Sequence, residues 1–292
     1  MSSAFWEQVM ADGLQVPADR PLDDMTAELT RMLGDPDPHL RDEIALPTLA
    51  TWVDEGVYDD LLAGFGDGMC AGLRTGLGEN GTDTVFRRSF SALMVTQCID
   101  RDAARGLVAH DVLLGWGDRV AGWYLREKDL RGFVPGKGWA HAVAHGADAI
   151  GALARHPRLG RLELTVLLDV LADRLLESTE EIWVCGETDR MALATMHVLR
   201  RDVLGLDVLE PWVKRISAVA TPRGDARHNA FLVAGNAQGF LRSLHLQLAL
   251  APQHPAVRAD LLLALIEQLR RTNAVYLVAG QPATEAVGPA GL

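Results

Sequence analysis

His141 and His145 stand four residues apart, with Asp148 three residues further on. On an α-helix, at about 100° per residue, these three side chains project within about 60° of one another. Trp139, Val143 and Ile150 fall near the opposite side. The helical wheel therefore expects those three in the core and the polar three pointing away from it. Two histidines at this spacing can ligate a metal, and an acid one turn later can add an oxygen. The pattern is not HExxH, because Ala142 occupies the place of that motif's base. Histidine also titrates near neutral pH, so the pair could instead transfer protons. A solvated polar stripe is the third reading. The sequence identifies no cofactor, and metal binding stays open.

Two features precede this stripe. Glu127-Lys128-Asp129-Leu130-Arg131 places charges of both signs at a helix end. A solvated turn is the ordinary reading of such a run, and the apolar, glycine-rich loop that follows leaves buried pairing as the alternative. Pro135-Gly136-Lys137-Gly138 reads as a helix start. Glycines there allow close backbone approach, and free N–H groups with Lys137 would favour an anion. It lacks the GxxxxGK[ST] of a P-loop, and a simple glycine turn is the competing reading. A second stripe, Gly186-Glu187-Thr188-Asp189-Arg190, continues to His197, with Arg190, Ala194 and His197 on one face. The candidate catalytic set is His141, His145, Asp148 and Glu187. The candidate ligand-binding set is Arg87, Lys128, Asp129, Arg131, Lys137 and Arg190.

The elements that must position these groups are helices. Apolar residues recur at spacings of three and four almost throughout, and β-branched alternation is nearly absent. This predicts helices over 25–33, 40–52, 58–73, 84–99, 103–126, 138–155, 162–177, 188–203, 210–219, 230–250 and 256–271. Every second helix opens alike, with a basic residue at 41, 87, 137, 190 and 242. The period resembles helix-pair repeats of the HEAT or armadillo kind, usually about 40–47 residues long. The expectation is an all-α fold, an irregular HEAT/armadillo-like α-solenoid forming a single domain over 1–278, with a disordered tail over 279–292. A non-repetitive helical bundle is the alternative. In a solenoid one helix of each pair lines a concave face. Arg87, His141, His145, Asp148, Glu187, Arg190 and His197 would then gather in one groove, with Arg87, His141, His145, Glu187 and Arg190 converging within about 10 Å, roughly one helix-to-helix spacing.

Composition limits the function. Hydrophobic residues make up 48% of 292, which rules out a disordered chain. A net charge of −11 argues against nucleic acid and anionic membranes as partners. Cys70, Cys98 and Cys185 are far apart, so neither a disulfide framework nor a thiolate zinc site is expected. The N-terminus has no basic stretch leading into an apolar core, and a soluble cytoplasmic protein is the expectation. Three lysines stand against 25 arginines, and two of the three, Lys128 and Lys137, flank the segment densest in chemistry.

The run Tyr124-Leu125-x-Glu127-x-Asp129-x-Arg131-Gly132-Phe133-Val134, followed by Gly138-Trp139-Ala140-His141-x-x-Ala144-His145-x-x-Asp148, resembles the signature of an uncharacterised bacterial family of domain-of-unknown-function proteins. The resemblance extends to 86–93, 186–190 and 240–242, with His245 standing where a tyrosine is expected. It implies an all-helical, repeat-like fold and no assigned activity. Three functions are weighed. An enzyme would use the histidines as acid/base or metal ligands on a phosphorylated or carboxylated small molecule. A binding module would offer the same groove to a small anionic ligand or to a protein or peptide partner. Nucleic-acid binding fits the charge least.

Overall fold

The computed structural model describes residues 3–177, 179, 181–222 and 229–277, apart from the side chains of Ser3 and Val233. Among these residues the fold is all-α, with a single hairpin of two-residue strands. The helices are α1 (Ser3–Ala11), α2 (Leu22–Met32), α3 (Leu46–Asp54), α4 (Leu62–Gly72), α5 (Thr84–Arg105) and α6 (His110–Arg126). After strands β1 (Phe133–Val134) and β2 (Gly138–Trp139) come α7 (Ala142–Arg155), α8 (Arg161–Leu176), α9 (Glu187–Leu199), α10 (Leu206–Val219), α11 (Ala230–Leu250) and α12 (Arg258–Thr272). A π-helical turn, His39–Ala45, leads into α3. No helix among the described residues is long and apolar enough to cross a membrane. The tail expected over 279–292 lies outside the described residues.

The helices pack in two rows. In one row α3, α5, α7, α9 and α11 lie side by side in that order. In the other, α4, α6, α8, α10 and α12 do the same, and the two rows pack on each other. Arginines tie neighbouring elements at the helix ends, where carbonyls lack intrahelical partners. Arg201 donates to the carbonyls of Ala154 and His156 at the end of α7. Arg174 does so to Tyr124 and Glu127 at the end of α6, and Arg258 to Leu248 and Ala249 at the end of α11. A planar guanidinium can bridge two carbonyls at once, which a lysine ammonium does less well. The arginine excess is thus largely structural.

Two sequence expectations are corrected. The helix expected from 138 begins at Ala142, because Gly136 and Gly138 adopt positive φ (76° and 78°) and turn the chain into the hairpin. Phe133 pairs with Trp139 and Val134 with Gly138. Trp139, expected in the core, is 42% exposed on this hairpin. The break expected near 100–102 falls later, at Gly106 (φ 68°), the left-handed residue that ends α5. There Asp102 accepts the N–H groups of Leu107 and Val108 and redirects the chain into α6. The sequence reading also left out α1, whose Trp6 and Val9 are buried.

α7 is the central helix of its row. From Ala142 to Ala154 only Asp148 is not buried. Its Ala- and Gly-rich sequence lets neighbours approach: Gly146 lies directly under the Tyr124 ring, and Gly151 under His197. A helix so enclosed has no solvated side, so the wheel's division into core and polar faces does not hold for it.

Candidate functional site

His141 is the residue before α7 and holds a left-handed conformation (φ 52°, ψ 31°). Its N–H bonds the carbonyl of Arg131, extending the hairpin ladder, and its carbonyl starts α7 by accepting from His145. The ring stacks on Trp139 (centroids 4.6 Å apart, planes at 21°). Nε2 donates to the carbonyl of Cys185 at 3.1 Å and lies 3.5 Å from the Glu187 carboxylate. Glu187 is buried at the start of α9 and accepts the N–H of Cys185 at 2.8 Å. Burial pushes its carboxyl up, but hydrogen bonds from His141 and from the backbone N–H groups of Glu187 and Cys185 outweigh it and hold it below its ordinary value.

His145 does not point away from the core. It is 7% exposed, edge-on to Phe90 (5.3 Å) and to His141 (5.7 Å). Burial, with the charges of His141, Arg190 and Arg41, pushes it down to about 3. The near-neutral titration expected of the pair therefore does not hold for His145, which is neutral at pH 7. Its Nδ1 is buried without a partner among the described residues. Asp148 turns the other way and is gripped by Arg190 through two guanidinium nitrogens, Nε (2.6 Å) and Nη2. Among the described residues no three His, Cys, Asp or Glu side chains form a metal-binding group.

The structure thus brings His141, His145 and Glu187 together and sets Asp148–Arg190 beside them. The remaining expected ligand-binding residues are elsewhere or already paired. Arg87 reaches away from the histidines and bonds the carbonyl of Thr30 in α2. Lys128 pairs with Glu177 on the surface. Lys137 lies in the hairpin turn, not at a helix start, with its ammonium on both oxygens of Asp83 (2.6 and 2.8 Å). Asp129 is fully buried, holding Arg131 through both oxygens and accepting the Gly81 N–H. These charges fasten the hairpin and the 79–84 loop to the helices.

The same holds for two buried arginines that the site reading passed over. Arg88 and Glu127, 0% and 2% exposed, form a two-pronged pair (2.5 and 2.9 Å). The remaining Arg88 donors go to Thr75, Gly76 and Thr84. Glu127 also takes the N–H groups of Trp123, Lys128 and Asp129. Arg41 bonds the carbonyl of Lys137 at 2.7 Å and stands over Phe86 and Phe90. The sequence signal for Arg41 was its place in the recurring basic positions, and for Arg88 its place in the 86–93 segment of the family resemblance.

A cavity of about 310 Å³ opens between α5, α7 and α9. Asp148, Arg190, Ala194 and His197 line it, with Thr96, Gln97 and Arg155. Arg190, Ala194 and His197 share a face, as their spacing requires. His197 is driven down to about 4 by burial and by the cations Arg155 and Arg200. Sequence reasoning passed over Thr96, Gln97 and Arg155. The signal for the first two is a polar pair one turn after Leu93 on an otherwise buried helix.

No curated protein and no solved structure matches the chain. The family model described as Protein of unknown function (DUF2785) matches residues 73–246, which run from the end of α4 into α11 and contain the histidines and the cavity. That is more than half of the chain, and the protein belongs to this family of proteins of unknown function, DUF2785.

Proposed function

We propose that the chain is an irregular helix-pair solenoid, a single domain, that binds a small carboxylated or phosphorylated molecule in the cavity between α5, α7 and α9. The two side-by-side rows support the solenoid. So does the placing of the recurring basic residues at 87, 190 and 242 on α5, α9 and α11 of one row.

The observation that carries the binding reading is the lining of the cavity. Two guanidinium groups, Arg155 and Arg190, stand beside the neutral imidazole of His197 and the side chains of Thr96 and Gln97. Its volume suits a metabolite-sized ligand. Arg155 also reaches both oxygens of Asp100 and Arg190 those of Asp148, so each guanidinium is already oriented by a carboxylate and presents its remaining N–H groups. His141 and Glu187 then act as the brace that fixes the start of α7 against α9.

Calorimetric titration with metabolite-sized carboxylates tests this. A saturable one-to-one isotherm is expected, weakened about tenfold by Arg155→Gln and by His197→Gln through loss of a charged or polar contact. Isotherms that are flat, or identical in all three proteins, defeat the reading.

A second reading is a peptide-binding surface at the hairpin. Phe133 and Trp139 are exposed there, edge to face at 5.0 Å, and Val184 is also exposed. Aromatic anchors of this kind concentrate binding energy at interfaces. Loss of a peptide partner on Trp139→Ala with the anion isotherm unchanged would favour it.

A further inference from the structure

Arg87 lies in a different cavity, of about 480 Å³, between α2 and the start of α5. Its side chain threads a slot between two glycine backbones. A Cβ on Gly34 would meet its Cβ at 3.0 Å, and one on Gly72 would meet its Nε at 2.9 Å. One nitrogen is anchored on the carbonyl of Thr30. The other guanidinium N–H groups have no acceptor among the described residues, and no carboxylate lies within ion-pairing distance. Arg31, exposed, stands on the same cavity wall and has no acidic partner among the described residues.

This sets Arg87, half-buried, apart from Arg88, Arg101 and Arg201, whose guanidinium groups are matched to carboxylates or to several carbonyls. A partly buried guanidinium without a counter-charge is costly unless something supplies one. The acid of the cavity, Asp83, is turned to Lys137, whose ammonium bonds both of its oxygens, and forms no ion pair with Arg87. Thr30 and Thr75 add hydroxyls to the wall. Arginine forks and hydroxyls together match the oxygens of a phosphate.

We propose that this second cavity is a phosphate site, in which Arg87 and Arg31 hold the phosphate group of a small phosphorylated molecule. It does not depend on the α5–α7–α9 cavity.

The test is calorimetric titration of the full chain with inorganic phosphate at constant ionic strength in sodium chloride. The wild type should saturate. Arg87→Gln should weaken binding about tenfold or more and Arg31→Gln about threefold. Arg155→Gln, in the other cavity, should leave it unchanged. Absence of saturable binding overturns the proposal, as does equal affinity in wild type, Arg87→Gln and Arg31→Gln. Weakening by Arg155→Gln alone overturns it too and assigns the phosphate to the first cavity. Should Arg87→Gln fail to fold by circular dichroism, Arg31→Gln, whose side chain is exposed, decides alone: unchanged affinity there overturns the site.

Discussion

The imidazole of His141 bridges two elements: stacked on Trp139 of the hairpin, it places Nε2 3.5 Å from the buried carboxylate of Glu187 at the start of α9. Two residues 46 positions apart in the chain thereby fix where α7 begins relative to α9.

His141→Ala removes the stack, the bond to the Cys185 carbonyl and the partner of Glu187, and leaves alanine in a left-handed conformation. Unfolding in urea should show a loss of about 2–3 kcal/mol. His141→Asn should lose less, because asparagine tolerates that backbone. A stability equal to wild type for His141→Ala would remove the brace from this account.

Acid should destabilise the fold through His145. Its folded value, about 3, lies below the ordinary histidine value, so the unfolded chain binds the proton first as pH falls. The contribution of a neutral, buried His145 is full above about pH 6.5 and is lost between there and about pH 3, at up to about 1.4 kcal/mol per pH unit. Glu187, held low, acts in the same direction at lower pH. His145→Gln should flatten the stability profile between pH 6 and 4 relative to wild type; parallel profiles would contradict the burial.

Glu127→Gln removes the charge that faces Arg88 in the interior. The unpaired guanidinium should cost about 3–5 kcal/mol, read as a lower midpoint in urea. An effect below about 1 kcal/mol, typical of a surface pair, would show that water reaches the site.

Gly146→Ala tests the packing of α7 with the sign reversed from helix propensity. In an exposed helix the change stabilises by about 1 kcal/mol. Here the added methyl overlaps the Tyr124 ring, so a loss of about 1–3 kcal/mol is expected in thermal or urea unfolding. A gain in stability would mean that Tyr124 and α7 are not in this contact.

Local chemistry determined what the sequence could reveal. Apolar spacing at three and four marked most of the helices, because that period reports which face of a segment avoids water. The basic residues recurring at 41, 87, 137, 190 and 242 fall in the π-helical turn before α3, in α5, in the hairpin, in α9 and in α11. Arg190, Ala194 and His197 could be set on one face, since that requires only helix geometry. The positions of Arg87 and His145 could not be read in the same way. Each depends on what the neighbouring helices present: two glycine backbones that admit Arg87, and Phe90 and α9, which close over His145. The hairpin was hidden for a related reason. The two strands have only two residues each, and their pairing is held from outside by Arg41, which reaches 96 residues along the chain to the carbonyl of Lys137. Only the tertiary structure decided which charges were free to act, because a charge's partner is set by distance in space. It matched Lys128, Lys137, Asp129 and Arg131 to partners and left Arg31 and Arg87 without a counter-charge among the described residues.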